Sequence, residues 1–282
     1  MKKINISLLL LCLCSCVSEV NLDINANNCK RLSVEGQITN IPGRQYVKLS
    51  AFSDNFSNCE FQAVNGAEVF VSDGKTRVPF SESGNFGLYF PPEGWAAEPG
   101  TTYTLAVSTD EDGIAGKYIA SSRMPAQGLR LDKFECTCDD AGNRFKLKVW
   151  MQDFTGDEEK HYILDSGING QTFCTAALTG GELFQGIYLV GVTLGEVSFP
   201  TMYVPYDGKK LPERANPGDE ISLCLYNVEK TFFDYIIGFS NESSPRLPLL
   251  MPQPGNLPSN VSGGAVGFFA ACYASAASYK IR

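Results

Sequence analysis

The sequence predicts a mostly β protein, and three features carry that prediction. Short stretches alternate apolar and polar residues with period two, turn-forming Gly, Asp, Asn and Pro residues separate them, and only one stretch has helical spacing. The chain has 282 residues, 44% of them hydrophobic, which is enough to fill two cores and so predicts two domains meeting near residue 126.

The alternation begins at Leu32, where Leu32, Val34, Gly36 and Ile38 fall on one face and Ser33, Glu35 and Gln37 on the other. Residues 47–51 repeat the pattern. Stretches 67–72 and 77–80 flank Asp73-Gly74-Lys75, a tight-turn composition that predicts a hairpin. In 102–107, Tyr103, Leu105 and Val107 point inward. Seven or so such strands before Pro125 give residues 29–125 the size of an immunoglobulin-like or prealbumin-like sandwich, and Met124-Pro125-Ala126-Gln127-Gly128 marks its end.

A second antiparallel β domain is expected over 126–282. Stretch 129–135 turns at Asp139-Asp140-Ala141-Gly142-Asn143 into a strand that places Phe145, Leu147, Val149 and Met151 on one face; 162–164, 187–190 and 221–226 follow, the last alternating cleanly. The helical stretch lies near 228–238. Val228, Phe232, Phe233, Ile236 and Ile237 share a face, Asn227 is the expected cap and Gly238 the expected stop. Five prolines, Pro245 to Pro258, then impose an extended course, and 266–273 is the closing strand.

The amino terminus carries a different kind of information. Lys2 and Lys3 precede an apolar run of about 10 residues, half of the roughly 20 needed to span a bilayer, so residues 1–15 read as a cleaved leader. Leu13 and Ser15 stand three and one residues before Cys16, the arrangement of a bacterial lipoprotein signal, whereas Cys12 and Cys14 each follow a bulky Leu. Cys16 is the expected lipidation site. Two or three acyl chains there would anchor the protein stably, with residues 16–28 as a tether.

The formal charge is −8, and loss of Lys2 and Lys3 takes it to −10, which argues against nucleic acid as a partner. Of ten cysteines, two leave with the leader and Cys16 is lipidated, so seven remain and at least one is unpaired. Pairing of Cys29 with Cys59 would clip the leading strand to the loop that follows the second. Cys136, Cys138, Cys174, Cys224 and Cys272 belong to the second domain. A single Cys-x-Cys without a second pair is a poor zinc site, and buried or disulfide-bonded thiols are the better reading.

His161 is the only histidine, and it stands where a loop enters a strand, the place of a solvated residue. No nucleophile elbow accompanies it. Ile163-Leu164-Asp165-Ser166-Gly167 has the form of one aspartic-protease loop, a chemistry that needs two carboxylates sharing a proton. Asp110-Glu111-Asp112-Gly113 and the acidic stretch from Asp153 to Glu159 lack the fixed offsets of a calcium loop. Trp95, Tyr203 and Tyr206 are the loop aromatics best placed to stack on a sugar. No metal and no cofactor are expected.

Four segments recur in a familiar order: Ser33-Val34-Glu35-Gly36-Gln37-Ile38, Gly66-Ala67-Glu68-Val69, Pro99-Gly100-Thr101-Thr102-Tyr103-Thr104-Leu105, and 256–269, which reads Asn-Leu-Pro-Ser-Asn-Val-Ser-Gly-Gly-Ala-Val-Gly-Phe-Phe. Together, over about residues 29–269, they resemble the domain-of-unknown-function family 4249. That resemblance implies an outer-membrane lipoprotein, often encoded beside SusCD-like, TonB-dependent nutrient uptake systems. It carries over no catalytic residue, and the seven mature cysteines are outside its pattern. The expectation is therefore a non-enzymatic lipoprotein of a Gram-negative outer membrane, on the cell surface, that assists or captures ligand for a TonB-dependent receptor and its lid lipoprotein. The alternatives are a free-standing glycan-binding or adhesive module, and a hydrolase with unrecognised carboxylates such as Asp165 or Asp153. The ligand would be a glycan or a peptide.

Overall fold

The computed structural model describes residues 30–53, 61–138, 144–153, 160–180, 188–198, 216–243 and 257–281. The fold is mostly β with one helix. The leading strand β1 (Lys30–Thr39) buries Leu32, Val34, Gly36 and Ile38, as its alternation predicts. It pairs antiparallel with β2 (Tyr46–Ser53), which also receives the short β3 (Gln62–Ala63). The predicted hairpin is β4 (Glu68–Ser72) and β5 (Arg77–Glu82); Asp73 Oδ1 accepts the Lys75 and Thr76 amides at 2.8 and 2.6 Å and so ties its turn. After β6 (Leu88–Phe90) come β7 (Thr102–Thr109), with Tyr103, Leu105 and Val107 buried, and β8 (Gly116–Arg123).

Region 126–282 supplies β9 (Leu129–Cys138), β10 (Arg144–Asp153), β11 (Lys160–Ile168), β12 (Gln171–Gly180), β13 (Tyr188–Ser198), β14 (Glu220–Asn227), the helix α1 (Lys230–Ser243) and β15 (Val266–Lys280). A twelve-stranded sheet runs β12-β11-β14-β15-β1-β2-β6-β5-β4-β7-β8, with β3 off that path, and β13-β10-β9 form a three-stranded sheet. The closing strand joins the leading one in parallel, Phe269 opposite Gly36. A Cβ on Gly36 would come within 3.0 Å of the Phe269 ring, so glycine there makes room for that ring.

The long sheet closes on itself as a sandwich. Val34, Leu49, Val71, Phe80, Leu105, Tyr118 and Phe269 meet in one core, and Ser122 Oγ, on β8, accepts the Ala271 amide of β15 at 3.0 Å. A second core lies on the opposite face of β15, where Phe268, Ala270, Cys272 and Ala274 meet Ile163, Cys224, Tyr226, Phe232 and Phe233. The first half of the closing strand is thus buried on both faces, which explains its small residues.

Several expectations need correction. The closing strand runs to Lys280, beyond the predicted 273, because its second half pairs with β14 after leaving β1. That handover is held by Asn40, whose side chain donates to the Ala274 carbonyl at 3.1 Å and accepts its amide at 2.6 Å. Clean alternation in β14 does not hold: from Leu223 to Asn227 every residue is buried, with α1 over one face. The helix starts two residues later than expected and passes through Gly238. Asn227 does not cap it, since its side chain donates to the Gln127 carbonyl at 2.8 Å. Glu229 precedes the first turn and accepts hydrogen bonds from Ser122 Oγ at 3.0 Å and the Arg123 amide at 3.3 Å. Gly238 is a contact residue, because a Cβ there would meet Leu257 at 2.7 Å. Ile237, expected inward, is 38% exposed. Strand β12 lies where no strand was predicted.

Candidate functional site

Where α1 crosses the sheet it roofs a cleft of about 230 Å³. The floor is strand-borne: Glu35 and Gln37 from β1, Tyr46 from β2, Ile163 and Asp165 from β11, and Phe268 from β15. The roof is Phe232, Tyr235, Ile236 and Phe239. Helical spacing brings these aromatics into line, because residues three and four apart share a face. Phe232 stacks on Tyr235 at 6.2 Å between centroids, and Tyr235 on Phe239 at 6.4 Å. Phe268 leans against Phe232 and Tyr235 at 5.2 and 5.4 Å. Phe239 is 54% exposed, so this aromatic wall opens to solvent.

The polar groups have opposite character to that wall. Tyr46 Oη donates to Glu35 Oε1 at 2.8 Å. Burial pushes the Tyr46 phenol well above its usual range, and the negative charges of Glu35 and Asp165 push it further the same way. The Tyr235 phenol is raised by burial and then by Glu35. The field of both carboxylates therefore reaches the cleft.

A buried cluster adjoins Asp165. Its cross-strand neighbour is Cys224, two residues before Tyr226 on the same face. Arg44, on the loop between β1 and β2, donates from Nη1 to Tyr226 Oη at 3.4 Å. Burial raises the Cys224 thiol and raises the Tyr226 phenol strongly, with Asp165 adding to both. Cys224 is thus a neutral, buried thiol, and Cys272, also free, is raised by its burial.

Of the residues singled out from sequence, Asp165 lines this cleft and Trp95 does not. Trp95 is half-buried against the sandwich core, edge-on to Phe80 at 5.8 Å and Tyr103 at 6.4 Å. His161 is not a solvated strand-entry residue: it is 6% exposed, its ring 5.0 Å from that of Phe233, because α1 lies over the strand it begins. In the Asp110 to Gly113 turn, Glu111 forms an ion pair with Lys30 at 3.9 Å, and no group of three metal-ligating side chains occurs among the described residues. Cys16, Cys29, Cys59, Tyr203 and Tyr206 lie outside the described residues, as does the side chain of Asp153.

Sequence reasoning missed Glu35, Tyr46, Arg44, Tyr226, Tyr235, Phe239 and Phe268 as parts of one place. One signal was available: aromatics at 232, 235 and 239 trace a second helix face beside the one formed by Phe233 and Ile236. Ending the helix at Gly238 cut Phe239 out of that face.

Comparison with known proteins adds one match. A family model described as "Domain of unknown function (DUF4249)" matches residues 17–277. No curated protein matches the chain.

Proposed function

The chain belongs to the DUF4249 family, and we propose that this member is a non-enzymatic, lipid-anchored outer-membrane protein that captures ligand for a TonB-dependent uptake system. The observation that carries this reading is the cleft beneath α1. It joins an aromatic wall, open at Phe239, to carboxylates on two different strands, a combination that grips a small group by its apolar face and its polar edge. Further support comes from the leader: Cys16 follows Leu13-Cys14-Ser15 in the arrangement that directs acylation, and a two-chain anchor would keep the cleft at the membrane.

The test is a gentle-detergent pull-down of the tagged lipoprotein from its own outer membrane, with mass spectrometry of what accompanies it. Recovery of a TonB-dependent receptor and its lid lipoprotein is the expected result. Unchanged nutrient uptake in a deletion strain, with the protein recovered alone, overturns the proposal. A second reading is favoured by the solvent-facing ring of Phe239, since sugars stack on exposed aromatic faces: a free-standing glycan-binding module. It predicts polysaccharide binding by the purified protein with no receptor present.

A further inference from the structure

We propose that the cleft beneath α1 takes an organic cation, the ammonium or guanidinium end of a basic peptide side chain. This rests on the reading of the cleft as the capture site and names its ligand class. The first ground is charge. Among the residues lining the cleft, Glu35 and Asp165 bring carboxyl groups, Gln37, Tyr46 and Tyr235 bring no formal charge, and there is no basic side chain. An anionic ligand would meet two like charges, and the chain as a whole carries a formal −8, which steers cations towards it.

The second ground is the wall. Phe232, Tyr235, Phe239 and Phe268 offer ring faces and edges around one opening, and a cation held within about 6 Å of a ring centroid is attracted by its quadrupole. An uncharged sugar also stacks, but its hydroxyls need donors as well as acceptors. Two of the polar groups lining the cleft are carboxylates, and the Tyr46 hydroxyl already donates to Glu35, so only Gln37 and Tyr235 are left to donate. Size agrees: at about 230 Å³ the cleft is below the roughly 300–1,000 Å³ typical of sites for drug-sized ligands. A single side chain is the unit that fits.

Two cations border the site and set its limits. Arg44 is engaged with Tyr226, beside Asp165, behind the floor. Lys48 is the cross-strand neighbour of Glu35 and so shares its sheet face. A ligand cation therefore competes with Lys48 for the Glu35 carboxylate, and Lys48→Gln should tighten binding.

The experiment is calorimetric titration of the intact, detergent-solubilised lipoprotein with a tri-lysine peptide amide, and with maltotriose as the uncharged comparison. Saturable tri-lysine binding is expected, weakening as salt rises and falling about tenfold in Glu35→Gln, a loss in the range of one charge-assisted hydrogen bond. Phe239→Ala should weaken it as well, and because that ring is 54% exposed the variant keeps its fold, which circular dichroism checks. Tri-lysine binding unaffected by Glu35→Gln and by Phe239→Ala overturns the inference, and so does its absence. Maltotriose binding that is lost in Phe239→Ala overturns the cation while leaving a capture site in place. A pull-down that recovers no receptor, alongside Glu35-dependent tri-lysine binding, removes the uptake partner and supports the cation chemistry.

Discussion

Cys224 and Tyr226 stand on one face of β14, against Asp165 and Arg44, in a setting where protonation states govern stability. Their acid groups, and those of Tyr46 and Cys272, are all raised, chiefly by burial. The fold therefore holds four protons more tightly than the unfolded chain does. Well below pH 9.0, the ordinary thiol value, both states keep these protons and stability is unaffected. As pH climbs past 9.0 and then past 10.0, the ordinary phenol value, the unfolded chain releases protons that the fold retains, and stability falls. Each group adds up to about 1.4 kcal/mol per pH unit to that slope. The denaturant midpoint should accordingly be flat from about pH 6 to pH 8, fall above about pH 9, and fall less steeply in Tyr226→Phe. A midpoint that stays level to about pH 11 would contradict this. Buried thiols were legible from sequence and the rest was not, because alternation tells which residues share a face but not what covers the face. His161, expected to be solvated, is buried because α1 lies over its strand.

Gly267 shows what one element demands of another. It sits on β15 at φ +104, and a Cβ would run into the Val34 carbonyl of β1, the parallel neighbour. Gly264, three residues earlier, also has positive φ, +82, but has nothing within 4 Å of a Cβ. The two substitutions to alanine separate strain from collision. Gly264→Ala should cost about 1 kcal/mol by thermal unfolding, and Gly267→Ala at least about 3 kcal/mol, because the β1–β15 pairing must part to admit the methyl group. Equal costs would mean that the strands can shift apart freely. Segment 256–269, one of the four through which the family resemblance was seen, thus has a physical content where it is described. Asn260 grips the Phe269 backbone from both sides, accepting its amide at 2.9 Å and donating to its carbonyl at 2.7 Å, and Ser262 pairs with Ile119 of β8. Strands with one covered face, β1 and β7, were readable by period two. Strands β14 and β15 were not fully so, because helix and sheet bury both their faces and the alternation vanishes.

At the scale of the molecule, the question is whether two cores mean two units. The sequence divides near residue 126, yet β15 carries Phe268 into the core under α1 and Phe269, its neighbour, into the sandwich core. Both rings are buried, at 3% and 0% exposure. A single sheet runs past both, with β1 and β15 joined along seven paired positions from Ser33↔Val266 to Thr39↔Cys272. Truncating either ring should cost about 3–5 kcal/mol. If the cores fold as one, Phe268→Ala and Phe269→Ala will each lower the same single unfolding transition, seen alike by tryptophan fluorescence and far-ultraviolet circular dichroism. With Trp150 replaced by Phe, Trp95 reports on the sandwich alone, so a Phe268→Ala protein in that background whose circular dichroism melts early while Trp95 holds its native signal would mean independent units. The shared strand favours the first outcome, since unfolding either core strips one face of β15. The cleft would then inherit the rigidity of the whole sheet, its carboxylates fixed by strands that cannot move separately.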